Sequence, residues 1–230
     1  MFKKTGTTIV GLKFGKGVAL FSDTRSTMND IVEDKNCHKL HKLADSIYCA
    51  GAGTAADTEH LTRSCAHVLN VFHRKYNKPP FTSIAKQFLT DHLHKYRGGI
   101  GAALILAGVD HSGSYLFDIH PYGSCSPSLF TSLGSGSLAA VSILEAGFKM
   151  DMSEEEAVAL GMAAVEAGIL NDLYSGSNID YLVIDDKGTR LSRNAKFVCK
   201  KESSETIKYP LNSVVISKEE VFDFVEEVFE

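Results

Sequence analysis

The helical periodicity of this chain falls into two pairs of segments, with β-rich segments before, between and after the pairs. Apolar residues recur at helical spacing over residues 61–72, and a second helix is predicted over residues 83–97. The second pair covers residues 138–148 and a helix opened by the capping box at 153–156. Strands and helices therefore do not alternate one by one, which disfavours a doubly wound parallel sheet. The grouping predicts an α+β fold in which helix pairs cover antiparallel sheets.

The β-rich segments are short and bounded by glycine. The first two are joined by Gly15 and Gly17, a spacing that predicts a hairpin. The predicted strands are residues 8–14, 18–21, 46–50, 102–106, 115–117 and, as the last core strand, 180–184. With 230 residues and no linker between two cores, we expect one domain.

Composition excludes several classes of function. The formal net charge is −4, from 24 Lys and Arg against 28 Asp and Glu, so the sequence predicts no nucleic-acid partner. The longest nearly apolar run, residues 101–109, is about half the length of a membrane helix, so no membrane partner is expected. The six residues before the first β-rich segment are too short for a secretory signal, so no export is indicated.

Cysteine and histidine usage favours neither a disulfide framework nor a metal site. The five cysteines include no Cys-x-x-Cys pair, and the nine histidines include no His-Glu-x-x-His motif. We therefore expect reduced intracellular thiols, no metal and no cofactor.

The C-terminal segment, residues 217–230, differs in character from the rest. It opens with a second capping box, Ser217 to Glu220, and six acidic residues form one face. The other face is an apolar stripe of Val221, Phe222, Val225, Val228 and Phe229. This pattern fits equally a terminal helix on its own core and an arm packed on a neighbouring subunit.

Three groups of small residues could bear on chemistry. The loops at residues 134–137 and 175–177 adjoin predicted helices, where they could cap and turn the chain or bind an anion or carbonyl group. Gly6, Thr7 and Thr8 precede the first strand, where Thr is common for its β-propensity alone. Cleavage after Gly6 would instead give Thr7 a free α-amine, with a pKa of about 7.7–8.0, that can serve as base for its own hydroxyl.

Six motifs in register resemble one known family. They are Thr7-Thr-Ile-Val-Gly11, Asp23-Thr-Arg25, Asp34-Lys-Asn-Cys-His-Lys39, Gly51-Ala-Gly-Thr-Ala-Ala-Asp57, Gly134-Ser-Gly-Ser-Leu-Ala-Ala140, and the segment from Asn171 to Asp180. Their order and spacing resemble those of proteasome β subunits, most closely the trypsin-like catalytic type of the eukaryotic 20S core. The resemblance spans residues 7–185.

The resemblance implies a four-layer αββα sandwich of the N-terminal-nucleophile hydrolase type. It divides the chain into a propeptide (1–6), a hydrolase domain (7–216) and an acidic amphipathic arm (217–230). It implies a threonine endopeptidase, found in cytoplasm and nucleus, that cleaves unfolded polypeptides. The implied partners are other β subunits in a heteroheptameric ring and the α subunits of the 20S core.

The resemblance also implies roles for individual residues. Thr7 corresponds to the nucleophile, Asp23 and Lys39 to the pair that flanks it, and the Gly53 amide to the oxyanion hole. Residues that hydrogen-bond around the α-amine correspond to Ser135, Asp172 and Ser175. Taken singly, these residues also fit an ordinary ion pair, helix caps and a turn.

Substrate contacts follow from the same resemblance. Gly51 corresponds to the floor of the pocket for the residue before the cleaved bond, and Asp34 and Glu59 could give that pocket negative charge. Thr27 and Gly53 correspond to residues whose backbone pairs with an extended peptide. A deep acidic pocket favours Arg or Lys in the substrate.

One position departs from the family pattern. Tyr174 stands where the pattern predicts Gly, and a need for positive φ there would strain the loop and shift Ser175. Three other interpretations stay open: a β-ring subunit that never matures, an amidase acting on a small molecule, and a subunit of a simple homo-oligomer.

Overall fold

A computed structural model of the chain describes residues 5–198 and Glu220. The chain divides into a main unit, Met1–Cys199, and a second unit, Lys200–Glu230. The predicted arm at residues 217–230, except for Glu220, and residues 1–4 of the predicted propeptide lie outside the described residues.

The main unit contains twelve strands and four helices over the described residues. The helices are α1 (Ala55–Tyr76), α2 (Thr82–Tyr96), α3 (Ser137–Gly147) and α4 (Glu154–Asn171). The strands are β1 (Ile9–Phe14), β2 (Gly17–Asp23), β3 (Ser26–Met28), β4 (Ile31–Asp34), β5 (Leu40–Ala44), β6 (Ile47–Gly53), β7 (Ala102–Asp110), β8 (Gly113–Ile119), β9 (Cys125–Pro127), β10 (Phe130–Leu133), β11 (Asn178–Asp185) and β12 (Gly188–Phe197).

Two five-stranded antiparallel sheets form the centre of the fold. Their strand orders are β10-β1-β2-β11-β12 and β5-β6-β7-β8-β9, and β3 and β4 form a separate hairpin. Helices α3 and α4 pack on the first sheet, and α1 and α2 pack on the second. A third apolar cluster fills the space between the sheets. The predicted αββα sandwich is therefore confirmed.

Strand β2 shows how the sequence produces these layers. Ala19 and Phe21 face the α3–α4 layer, whereas Val18 and Leu20 face the second sheet. Because alternate side chains enter two different apolar layers, β2 is buried along its whole length and shows no polar face.

The predicted helices are all present, and the Ser153 capping box closes as expected, with both reciprocal hydrogen bonds made. Residues 180–184 lie in β11, the last core strand as predicted, whereas β12, which follows and pairs with β11, was not predicted. Strand β12 is an exposed edge strand rich in polar side chains, so it lacks the apolar run on which the prediction depended. Within the described residues no helix has both the length and the apolar character to cross a bilayer.

Candidate active site

Thr7 lies at one end of β1, in a cavity of about 370 Å³. The side chain is buried, and Thr5 and Gly6 of the predicted propeptide line the same cavity. Predicted site residues that also line it are Thr27, Lys39, Gly51, Gly53 and Glu59.

The Thr7 hydroxyl group lies between the ammonium group of Lys39 and the carbonyl group of the preceding residue, Gly6. Lys39 Nζ donates to Thr7 Oγ1 over 3.1 Å and to the Gly6 carbonyl oxygen over 3.2 Å. Thr7 Oγ1 itself donates to that carbonyl oxygen over 2.7 Å. A hydroxyl group, a carbonyl group and an ammonium group are therefore within hydrogen-bonding distance of one another.

Asp23, at the end of β2, holds Lys39 in place. Its carboxylate is fully buried and accepts from Lys39 Nζ at 2.7 Å. Backbone N–H groups of Thr8, Gly176 and Arg25 also donate to it, at 3.0, 3.1 and 3.3 Å. A buried carboxylate with four such partners is satisfied, so it can orient the ammonium group without a competing conformation.

Lys39 is the residue before β5, so the sheet fixes its backbone. The Gly51 N–H of β6 donates to the Lys39 carbonyl oxygen at 3.0 Å. This hydrogen bond continues the β5–β6 ladder and brings the lysine beside the Gly51 and Gly53 end of β6. Gly53 has a φ of +120°, a conformation that favours glycine, and lies at the cavity wall.

A second network lies on the backbone side of Thr7. The Thr7 N–H donates to Ser135 Oγ at 3.1 Å, and Ser135 Oγ donates to Asp172 Oδ2 at 2.6 Å. Ser175 Oγ donates to the same Asp172 oxygen at 2.6 Å. Asp172 is the C-cap of α4 and Ser135 lies just before α3, so the helix ends bring these side chains to Thr7.

Asp172 is held in its ionised form. Burial raises the pKa of this carboxyl, but hydrogen bonds from Ser135, Ser175 and the Tyr174 and Ser175 N–H groups outweigh burial and lower the pKa below its ordinary value. Asp172 can therefore accept from both serine hydroxyl groups at neutral pH.

Thr8 is part of this site, although the sequence assigned it no role. Its hydroxyl group lies 2.8 Å from Ser175 Oγ, and its N–H group donates to Asp23. Thr8 thereby joins the Lys39–Asp23 pair to the Ser175–Asp172 network. The second threonine of the Thr7-Thr8 pair was the available sign in the sequence, but it equally fits a β-strand.

The expected strain at Tyr174 is absent. Among the described non-glycine residues, positive φ values occur at Asn29, Asn77, Arg97, Ser177 and Asn194. The positive φ in this loop thus falls at Ser177, with a value of 69°, and Ser175 keeps its hydrogen bonds to Asp172. A tyrosine at position 174 is compatible with the loop because it adopts negative φ.

The far end of the cavity is built from β6 and α1. A Cβ at Gly51 would lie 3.2 Å from Thr58 and 3.4 Å from His41, so these two side chains close the floor beneath Gly51. Glu59 gives this end its one carboxylate among the described lining residues, and it also forms an exposed ion pair with Arg63. His41 was not predicted as part of the site.

His41 is held neutral. Burial lowers the pKa of this imidazole and outweighs the opposing effect of Glu59, while His38 lowers the pKa further. A neutral histidine adds no positive charge beside Glu59, whose carboxylate pairs with Arg63 alone among the described ion pairs.

Asp34 does not join the described lining of the cavity. It ends the exposed strand β4, and its Oδ1 accepts from the Asn36 N–H group at 2.8 Å, closing a turn. The expectation that Asp34 contributes negative charge to the pocket came from the family resemblance alone. Within residues 5–198 no group of three or more His, Cys, Asp or Glu side chains could hold a metal ion.

The chain is similar to known proteins over most of its length. Residues 3–184 match the family described as "Proteasome subunit". The chain is 52% identical to "Probable proteasome subunit beta type-2" of Encephalitozoon cuniculi, over 99% of this chain and 100% of that protein. It is 45% identical to "Proteasome subunit beta type-2" of Saccharomyces cerevisiae, with 94% and 84% covered. Identity to "Proteasome subunit beta type-7" of Dictyostelium discoideum is 49%, with 84% and 73% covered.

Proposed function

This chain belongs to the proteasome subunit family, and on that premise we propose that it is a threonine endopeptidase of the 20S core. Its nucleophile is Thr7, released when the chain cleaves its own bond between Gly6 and Thr7. The observation that supports this most directly is the placement of Thr7 Oγ1 between Lys39 Nζ, at 3.1 Å, and the Gly6 carbonyl oxygen, at 2.7 Å.

Self-cleavage begins with attack of Thr7 Oγ1 on the Gly6 carbonyl carbon. The C–N bond between Gly6 and Thr7 then breaks, and the hydroxyl proton passes through water to the departing nitrogen. An ester joins Gly6 to Thr7 Oγ1, and Thr7 gains a free amine. Water hydrolyses the ester to a Gly6 carboxylic acid and the free Thr7 hydroxyl group. Lys39 Nζ, 3.2 Å from the Gly6 oxygen, stabilises the negative charge that develops there.

The mature chain uses the same groups on a peptide. The α-amine of Thr7, with an ordinary pKa of about 7.7–8.0, takes the Oγ1 proton directly or through water. Oγ1 then attacks the peptide carbonyl, the Gly53 N–H group binds the oxyanion, and water hydrolyses the ester. The amine nitrogen occupies the position of the Thr7 N–H, so Ser135 and, through it, Asp172 orient it.

We propose that the cavity favours substrates with Arg or Lys before the cleaved bond. Glu59 supplies a carboxylate to the cavity, Gly51 leaves room above Thr58 and His41, and His41 is neutral. Thr27 lies along the cavity, where its backbone can pair with an extended peptide. We place the chain in a heteroheptameric β ring against the α subunits, in cytoplasm and nucleus.

The test is the mass and N-terminal sequence of this chain in purified core particles, followed by peptide hydrolysis. We expect residues 1–6 to be absent, and Thr7→Ala particles to retain them. Peptides ending in Arg should be hydrolysed faster than those ending in Leu or Asp, and Glu59→Gln should raise KM for the Arg peptide alone. Full retention of residues 1–6 in assembled particles would instead identify a catalytically silent structural subunit.

A further inference from the structure

We propose that Tyr174 is a positioning residue for self-cleavage. It forms the wall against which Gly6 fits, so that it restricts the residue before the cleaved bond to glycine and keeps the Gly6 carbonyl group directed at Lys39. This inference rests on the self-cleavage proposed above, but it concerns a residue outside the nucleophile and its proton-transfer groups.

The contact between Tyr174 and Gly6 leaves no room for a side chain. A Cβ built on Gly6 would lie 2.0 Å from Tyr174 Cβ, 2.6 Å from its carbonyl carbon and 2.7 Å from its Cα. Carbon atoms in contact are ordinarily about 3.5–4.0 Å apart. The closest of these approaches is to Tyr174 Cβ and the other two are to its backbone, so no ring atom is among the three nearest atoms.

The wall is anchored on both sides. The Tyr174 N–H group donates to Asp172 Oδ1 at 3.3 Å, and the Ser175 N–H group donates to Asp172 Oδ2 at 3.1 Å. Ser175 is buried, with its hydroxyl group against Thr8. Retreat of Tyr174 from a larger residue would break these hydrogen bonds, so the loop cannot easily adjust.

Gly6 is confined on its other side by the reacting groups. Its carbonyl oxygen accepts from Thr7 Oγ1 and Lys39 Nζ. A methyl group at position 6 must therefore push the carbonyl group away from the nucleophile and the ammonium group. Displacement of a reacting group by about 1 Å can reduce a rate by roughly 10²-fold.

The test compares residue 174 with and without a Cβ. Full-length chains carrying Gly6→Ala, Gly6→Ala with Tyr174→Ala, and Gly6→Ala with Tyr174→Gly are incorporated into core particles and followed by intact mass after pulse labelling. The Tyr174→Ala chain is the matched control, because it loses the ring but keeps Cβ. The amount of each chain in purified particles reports folding and assembly separately from cleavage.

We expect Gly6→Ala to slow cleavage by roughly 10²-fold, and addition of Tyr174→Ala to leave it slow. Addition of Tyr174→Gly should recover only about tenfold of that loss, because the 2.0 Å contact disappears while the backbone approaches at 2.6 and 2.7 Å remain. Loss of the ring alone would not separate Ala from Gly at position 174, since both residues lack it.

Two results would overturn the inference while the unvaried chain still cleaves itself. One is normal cleavage of Gly6→Ala, and the other is cleavage of its Tyr174→Ala derivative as fast as that of the Tyr174→Gly derivative. If the Tyr174→Gly chain fails to assemble, rapid cleavage of Gly6→Ala or of Gly6→Ala with Tyr174→Ala still refutes the inference. Absence of cleavage in the unvaried chain refutes the proposed function itself.

Discussion

Replacement of Gly134 by Ala tests how closely Thr7 must be held. Gly134 follows β10 with a φ of +101°, and a Cβ there would lie 2.1 Å from the Thr7 carbonyl oxygen. Relief of this overlap requires Thr7 or the 134–137 loop to move by about 1 Å, since non-bonded heavy atoms rarely approach within about 3 Å. A shift of that size in the nucleophile can reduce turnover by roughly 10²-fold.

Gly188 provides the matched control for this substitution. It has a φ of +119° at the first residue of β12, and a Cβ there would have nothing within 4 Å. Both substitutions therefore place Ala in a left-handed conformation, which costs about 1–2 kcal/mol, but only Gly134→Ala collides with Thr7. The comparison separates backbone strain from displacement of the nucleophile.

The assay is hydrolysis of an Arg-ending peptide by purified core particles, with intact mass as the readout of self-cleavage. We expect Gly188→Ala to keep turnover within about twofold, and Gly134→Ala to lower it by roughly 10²-fold and to slow removal of residues 1–6. Equal turnover in the two variants, with complete removal of residues 1–6 in both, would refute the reasoning.

Three further predictions concern charge. Lys39→Met leaves the buried Asp23 carboxylate without its cation, so we expect the free energy of unfolding, measured by thermal unfolding, to fall by about 3–5 kcal/mol. A second substitution, Asp23→Asn, should restore part of this loss. Losses that simply add in the double variant would contradict this. The lowered pKa of Asp172 means that its ionised form contributes stability above the ordinary pKa of 3.8, and this contribution is lost as pH falls through the lower folded value. The difference in melting temperature between the unvaried chain and Asp172→Asn should therefore be constant from pH 7 to 5 and shrink only below about 4, and shrinkage near pH 6 would show the opposite shift. His41 also has a lowered pKa, so its neutral form contributes stability above the ordinary value of 6.5, and protonation occurs only at lower pH. KM for an Arg-ending peptide should be flat down to pH 6.5 and rise below it, and His41→Gln should remove that rise; a rise already present at pH 7.5 would count against this assignment.

The predictable part of the fold is the part with a strong local pattern. Helices α1 to α3 were readable because their apolar residues recur at helical spacing, α4 because of its capping box, and β2 because both of its faces are buried. Strand β12 and the short hairpin β3–β4 were not predicted, because edge positions accept polar residues and show no apolar run.

The candidate site was likewise predictable only in part. The order of the motifs led to Thr7 and Lys39, which the structure places in hydrogen-bonding contact. The same argument placed Asp34 near the pocket, whereas its carboxylate accepts from the Asn36 N–H group and is not among the described residues that line the cavity. The contact of Thr8 with Ser175 could not be predicted, since the two residues are 167 positions apart.

The sequence by itself determined which segments form helices and core strands, and which side chains offer a hydroxyl nucleophile, an ammonium group and a carboxylate. These properties depend on local periodicity and on the chemistry of single residues. Only the tertiary structure decided that Thr7 meets Lys39, 32 positions away, and Ser135, 128 positions away. The physical reason is that antiparallel pairing of β1 with β2 and β10 brings the loop that carries Ser135 to Thr7. Packing of the second sheet on the first brings Lys39, the residue before β5, to the same place.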